Sequence, residues 1–278
     1  MCSLGIVGLG LIGGSLAKSA RKHGYDKIYG FDIDNSVVEY ATLCGIIDAP
    51  LNNEKLSECD VVMISLYPDA TVEYVSEHRN MFKKDALVID CAGVKRSVCT
   101  PCFEISEKCG FHFVGGHPMA GTQYSGIKNS KDTMFHNACF VLVPRHMEDV
   151  NVISKARETV ISLGFSRVSV MTPERHDELI AFTSQLAHVV SNAYVKSPSA
   201  LSHKGISAGS YKDLTRVAYL NEDMWTQLFM DNRDNLMNEI KRIIDSLSEY
   251  YNALENSDSD ALKNLLREGK EAKEACEK

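Results

Sequence analysis

The sequence predicts an α/β fold over residues 1–171, a parallel sheet with covering helices, followed by an all-α domain over residues 172–278. Three observations predict it. Short apolar runs alternate with helix-spaced segments through the first half of the chain. A glycine-rich turn, Gly8-Leu9-Gly10-Leu11-Ile12-Gly13, stands between the first of these runs and the first helix. Beyond Val170 the strand-like runs stop and the spacing becomes helical.

Leu4–Val7, Lys27–Phe31, Asp60–Ser65, Ala86–Asp90, Phe111–Val114 and Ala138–Val143 are rich in Val, Ile and Phe, as strands covered on both faces must be. Ser166–Val170 adds a short seventh strand after a helical stretch at Val150–Leu163. Thr172 is placed to cap a helix whose first residue is Pro173 and which continues to about Ala193. Met224–Tyr251 and the strongly charged Asp258–Ala275 complete the helical part. A chain of 278 residues is longer than one core usually organises, which makes two domains the natural reading.

The 30 basic and 37 acidic residues give a net charge of −7, which repels a phosphate backbone and argues against nucleic acid as a partner. The sequence has no apolar run long enough to span a bilayer, and Met1-Cys2-Ser3-Leu4 leads directly into a strand, so a cytoplasmic location is expected. Nine cysteines are an odd number and lie mostly inside strand and helix patterns, which suits reduced thiols. Cys99-Thr-Pro-Cys102 with Cys109 lacks the second cysteine pair that a zinc site needs, and no metal is expected.

The glycine turn carries the strongest chemical signal because of its setting. A strand precedes it, an amphipathic helix from Ser15 to about His23 follows, and a second strand then leads to Asp32. Gly8 permits the tight turn, Gly10 admits a pyrophosphate close to the backbone, and Gly13 allows helix and strand to pack closely. The helix start at Leu11 and Ile12 offers free N–H groups and a partial positive charge to phosphate. Asp32 suits the adenosine ribose hydroxyls and repels a 2′-phosphate, which favours NAD over NADP. This is the pattern of a Rossmann dinucleotide-binding domain. Ser65 and Leu66, ending the third apolar run, are assigned to the same cofactor site.

A second constellation, Val114 to Gly126, places His117 just after a strand in a loop dense with glycine. Open α/β sheets bind ligands there, and a neutral imidazole can take a proton from a hydroxyl while hydride leaves the adjacent carbon.

With these motifs in view, the chain closely resembles the prephenate dehydrogenase family of tyrosine biosynthesis. The likeness rests on GLGLIGGS at the start, DCAGVK at Asp90–Lys95, GGHPMAGTQYSG at Gly115–Gly126, PERHDELIAFTSQLAH at Pro173–His188, and GSYKDLTRVA ahead of Trp225. The resemblance implies NAD-dependent oxidative decarboxylation of prephenate to 4-hydroxyphenylpyruvate, by a homodimer associated through its helical domain. It makes His117 the base and places Thr122, His188, Gly209 and Trp225 in the substrate pocket. Arg216 becomes the carboxylate clamp, a role for which its planar fork is suited; a structural pairing with Asp213 or Glu222 is the other reading. Gln185, one turn before His188, stands where some members carry another histidine. Many members also have serine in the loop that here holds Gly93, where it orients the catalytic histidine; water or a backbone group is expected to replace it. Asp258–Lys278 shows no pattern of an ACT-type regulatory domain.

Three alternatives stay in view. Arogenate dehydrogenase performs the same chemistry on a substrate with an amino group in place of the side-chain ketone. A 3-hydroxyacid dehydrogenase needs a lysine on the long helix, and Lys196 lies near its end. A non-catalytic NAD-sensing module needs neither His117 nor Arg216.

Overall fold

The computed structural model describes residues 3–122, 124–202, 205–206 and 208–277. Strands β1 (Ser3–Val7), β2 (Lys27–Phe31), β3 (Ala49–Pro50) and β4 (Val61–Ile64) alternate with helices α1 (Leu11–Lys22), α2 (Asn35–Leu43) and α3 (Asn53–Leu56). Helix α4 (Pro68–Glu77), strand β5 (Leu87–Asp90), helix α5 (Arg96–Cys109) and strand β6 (His112–Pro118) follow. Strand β7 (Cys139–Val143), helix α6 (Val150–Ser162) and strand β8 (Arg167–Val170) complete an eight-stranded sheet of order β3-β2-β1-β4-β5-β6-β7-β8. The two-residue β3 is too short to show as an apolar run, which is why the sequence did not reveal it.

One expectation needs correcting. The sheet is not wholly parallel: β6 pairs parallel with β5 up to Val114, then antiparallel with β7 from Gly115↔Val143 to Pro118↔Phe140. Gly115 and Gly116, read from sequence as loop, are therefore strand residues, and His117 lies within β6 and not after it. These glycines provide room, not a turn. A Cβ on Gly115 would meet Cys99 Sγ at 2.4 Å, and one on Gly116 would meet the Asp90 carbonyl oxygen at 2.2 Å.

Both sheet faces are covered. Leu16, Ala17 and Ala20 of α1 with Ala156 and Val160 of α6 bury one face, while Val75 of α4 with Val98 and Cys102 of α5 bury the other. Among the described residues the cysteines are free thiols. Burial pushes the Cys102 thiol up to about 12, so it stays protonated and packs as an apolar group.

The helical part begins as expected. Thr172 Oγ1 accepts from Arg175 N at 3.3 Å, with Pro173 in the first turn of α7 (Pro173–Ile180). The winding then widens to a π-helix over Ala181–Leu186 before α8 (Ala187–Tyr194). Lys196 falls beyond this helix. Helices α9 (Gly209–Thr215), α10 (Glu222–Asp231), α11 (Arg233–Glu255) and α12 (Ser259–Cys276) follow. The stretch expected as one helix from Met224 is broken at the fully buried Asn232. Its Nδ2 donates to the Asp177 carbonyl and to Gln185 Oε1, both at 2.8 Å. No helix among the described residues is long and apolar enough to cross a membrane.

Gly116→Ala is expected to destabilise the fold by about 1–3 kcal/mol or more, because the new methyl meets backbone and not a flexible side chain. A thermal melt checks this, and an unchanged Tm would show that β6 and β5 can separate at no cost.

Candidate active site

Since β1, β4, β5 and the first part of β6 run parallel, the glycine turn and His117 share the carboxyl edge of the sheet. The strand order reverses between β1 and β4, the place where open α/β sheets take ligands. Gly8–Gly13 flank that crevice on one side, Ser65 and Leu66 on the other. The residues fit a dinucleotide. Gly8 has φ +84°, and a Cβ there would meet Ser65 O at 2.5 Å. A Cβ on Gly13 would meet Gly8 O at 1.8 Å, whereas one on Gly10 would meet nothing within 4 Å, leaving the space that a pyrophosphate needs. No side chain caps α1, so the N–H groups at Leu11, Ile12 and Gly13 keep their capacity to donate to phosphate. Asp32 braces the turn: Oδ2 accepts from Leu9 N at 2.8 Å and Oδ1 from Asp34 N at 3.0 Å. Each oxygen retains a lone pair for a ribose hydroxyl.

His117 is half-buried and joined to a polar chain that the sequence did not disclose. Its Nδ1 lies 2.9 Å from His176 Nε2, and His176 Nδ1 lies 2.7 Å from Asp177 Oδ1. Both residues come from the first turns of α7 and are fully buried. Asp177 also accepts from Lys95 N at 2.8 Å and Arg96 N at 2.9 Å. Burial pushes the Asp177 carboxyl upward, but the His176 ring and these N–H groups outweigh it and hold it below the usual carboxylate range. Beneath the histidine, fully buried Lys95 donates from Nζ to Asp90 and, at 2.6 Å, to Gly116 O. Asp90 in turn accepts from Gly116 N at 3.0 Å and Ala92 N at 2.8 Å. Burial, then the neighbouring His176 and Lys95, pull the His117 pKa well below that of an ordinary histidine. A neutral imidazole of this kind is able to accept a proton.

Sequence reading missed Asp90, Lys95, His176 and Asp177 as individuals. All four lie inside the quoted motifs. The one available signal was a lysine and an aspartate near an apolar strand end, a pattern that charged residues facing solvent also produce. The expected replacement for a serine at Gly93 also needs correcting, since a side chain and not water or backbone partners His117 Nδ1. Gly93 itself faces Leu228, whose Cδ2 would lie 3.2 Å from an added Cβ.

A second group gathers around α8. His188 Nδ1 donates to Val217 O at 2.9 Å, and its ring lies 3.9 Å from that of Trp225. Burial lowers the His188 pKa, the Val217 carbonyl raises it, and nearby Arg216 lowers it. Arg216 is exposed and, among the described residues, makes no ion pair with Asp213 or Glu222. Thr122 and Gly209 are exposed; Thr122 Oγ1 bonds within its own loop to Tyr124. Gln185 departs from expectation. The π winding turns it off the His188 face and into the helical layer, where Nε2 donates to Leu228 O at 2.9 Å and Oε1 accepts from Asn232. Both ends of the amide are thus engaged in hydrogen bonds within the helical layer.

Residues 16–169 match the profile described as prephenate dehydrogenase, nucleotide-binding domain, and residues 172–268 match prephenate dehydrogenase, dimerization domain. The chain belongs to the prephenate dehydrogenase family. A prephenate dehydrogenase of Bacillus subtilis is 27% identical over 97% of this chain and 74% of its own length. The crystal structure of the Aquifex aeolicus prephenate dehydrogenase in complex with hydroxyphenyl propionate and NAD+ is 30% identical, with a TM-score of 0.84 over 99% of this chain and 98% of that one. The Synechocystis arogenate dehydrogenase is 25% identical, with a TM-score of 0.82 over 98% and 99%. This prephenate dehydrogenase family member is an oxidoreductase with a nucleotide-binding, Rossmann-type sheet and a helical C-terminal part.

Asp32→Ser combined with Ile33→Arg is expected to shift cofactor preference toward NADP by about tenfold or more, ~1.4 kcal/mol. Ile33 is 94% exposed beside the ribose position, so the arginine has room to reach a phosphate. Steady-state kinetics with both cofactors check this, and an unchanged preference removes Asp32 from the ribose site.

Proposed function

We propose that this chain is a prephenate dehydrogenase, converting prephenate to 4-hydroxyphenylpyruvate and carbon dioxide. The observation that carries this reading is a neutral His117 at the carboxyl edge of the sheet, in a chain whose two parts both match this family. NAD, held at the glycine turn and Asp32, supplies the hydride acceptor. His117 receives the proton of the ring hydroxyl as hydride departs from the carbon that bears it. That proton returns to the oxygen when loss of carbon dioxide makes the ring aromatic. Arg216, which makes no ion pair among the described residues, binds a substrate carboxylate, and His188, Trp225 and Thr122 line the pocket. Domains divide at residues 171 and 172.

A second reading, arogenate dehydrogenase, is favoured by the fold of the Synechocystis enzyme, and the two substrates are to be compared directly. Absorbance of NADH on adding prephenate is the test. His117→Asn is expected to lower kcat by about 10²–10⁴-fold with NAD affinity retained. Arg216→Ala is expected to raise KM by about tenfold or more. No NADH from prephenate at any pH would overturn the reading, and faster turnover of arogenate would favour the second.

The helical part leaves Ile244, Leu247, Tyr251 and Leu254 of α11 exposed together with Leu266 of α12. An apolar surface of this kind on a matched dimerization domain supports a homodimer through that layer. Light scattering at micromolar concentration is expected to give twice the 30.8 kDa chain mass, and a monomer would refute it.

A further inference from the structure

We infer that His176 and Asp177 are positioning residues that fix the tautomer of His117, so that its base nitrogen is Nε2. The inference rests on the proposed dehydrogenase reading and extends it to the atom that accepts the proton. The geometry leaves one consistent assignment. Asp177 is ionised and only accepts, so His176 Nδ1 must carry the hydrogen of the 2.7 Å contact. A neutral His176 then has its lone pair on Nε2. That nitrogen can only accept across the 2.9 Å contact, which places the hydrogen of His117 on Nδ1. The lone pair of His117 is left on Nε2, which makes no hydrogen bond among the described residues. A histidine held by a single flexible partner exchanges tautomers; this one is set by a carboxylate two hydrogen bonds away.

The surroundings keep the arrangement in one state. Asp177 cannot rotate without giving up Lys95 N, Arg96 N and the Arg96 Nε contact at 3.3 Å. Arg96 is held in its turn by Asp234, at 2.5 Å and 2.9 Å, and by Asn232 Oδ1 at 3.0 Å. Gly93 supplies no hydroxyl that competes for His117 Nδ1. The groups bearing on His117 are thus His176 and Asp177 from α7, Lys95 ahead of α5, and Asp90 ending β5.

Two measurements test this on the full-length protein. Nitrogen-15 NMR of histidine-labelled protein without substrate is expected to show His117 protonated at Nδ1 and unprotonated at Nε2 at pH 7. In Asp177→Asn one of the two accepting oxygens becomes a donor facing Lys95 N or Arg96 N, so the hold on His176 is lost and the His117 hydrogen is expected to be shared between Nδ1 and Nε2. The companion loss in kcat is expected to be about 10²–10⁴-fold, with KM and NAD affinity little changed. His176→Phe removes the acceptor, whereas His176→Gln places an amide oxygen near the position of Nε2. Glutamine is therefore expected to restore kcat by tenfold or more over phenylalanine. Both variants also remove a ring that opposes charge on His117, so the acid limb of kcat/KM is expected to move upward in pH. A wild-type His117 carrying its hydrogen on Nε2 overturns the inference whatever the substrate is. So do equal kcat values for the glutamine and phenylalanine variants in folded, NAD-binding protein. If the tautomer is as stated but wild type does not oxidise prephenate, the dehydrogenase reading fails while the positioning stands.

Discussion

The structure depends on one buried carboxylate. Asp177 is fully buried, and a carboxylate in that position costs several kcal/mol unless its lone pairs are filled. They are filled from two directions: the backbone N–H groups of Lys95 and Arg96 reach it from the sheet layer, and the His176 ring from its own helix. The helical part is therefore docked on the sheet by a polar contact that tolerates little displacement. Arg96 extends the junction to Asn232 and Asp234, and Asn232 passes it on to Gln185. Strong pairing with Arg96 holds the Asp234 carboxyl down to about 2, so this outer part stays charged over the physiological range.

A second buried pair acts on the same histidine from below. Lys95 and Asp90 are both fully buried, and between them they hold the N–H and carbonyl of Gly116, the residue before His117. The close approach is possible because Gly116 has no Cβ. A glycine in a strand, two opposite charges out of water and a nearby neutral imidazole are consequences of one packing problem. The low dielectric and the positive Lys95 together oppose a charge on His117 and pull its pKa down.

Much of the site was legible because it is local. The glycine turn, its strand and its helix are contiguous, and each glycine has a steric reason that the geometry bears out: 2.5 Å at Gly8, 1.8 Å at Gly13 and open space at Gly10. The Thr172-Pro173 helix start could be read for the same reason, since a cap and the N–H that donates to it lie three residues apart. Gln185 could not be read. A spacing of three from His188 implies a shared face on an α-helix, and only the tertiary packing of Asn232 and the Leu228 carbonyl draws that stretch into π winding.

By itself the sequence determined the alternation of strands and helices, the glycine turn between the first strand and helix, and the family. Each of these is encoded in neighbours along the chain or in motifs that survive as strings. Tertiary structure alone decided that β6 reverses its pairing at Gly115, that Asn232 interrupts a helix, and that His117 meets His176 and, through it, Asp177. His117 and His176 are 59 residues apart, and Lys95 and Asp177 are 82 apart. Hydrogen bonds between such positions leave no period or spacing in the sequence, because their geometry is set by how the helical layer packs on the sheet.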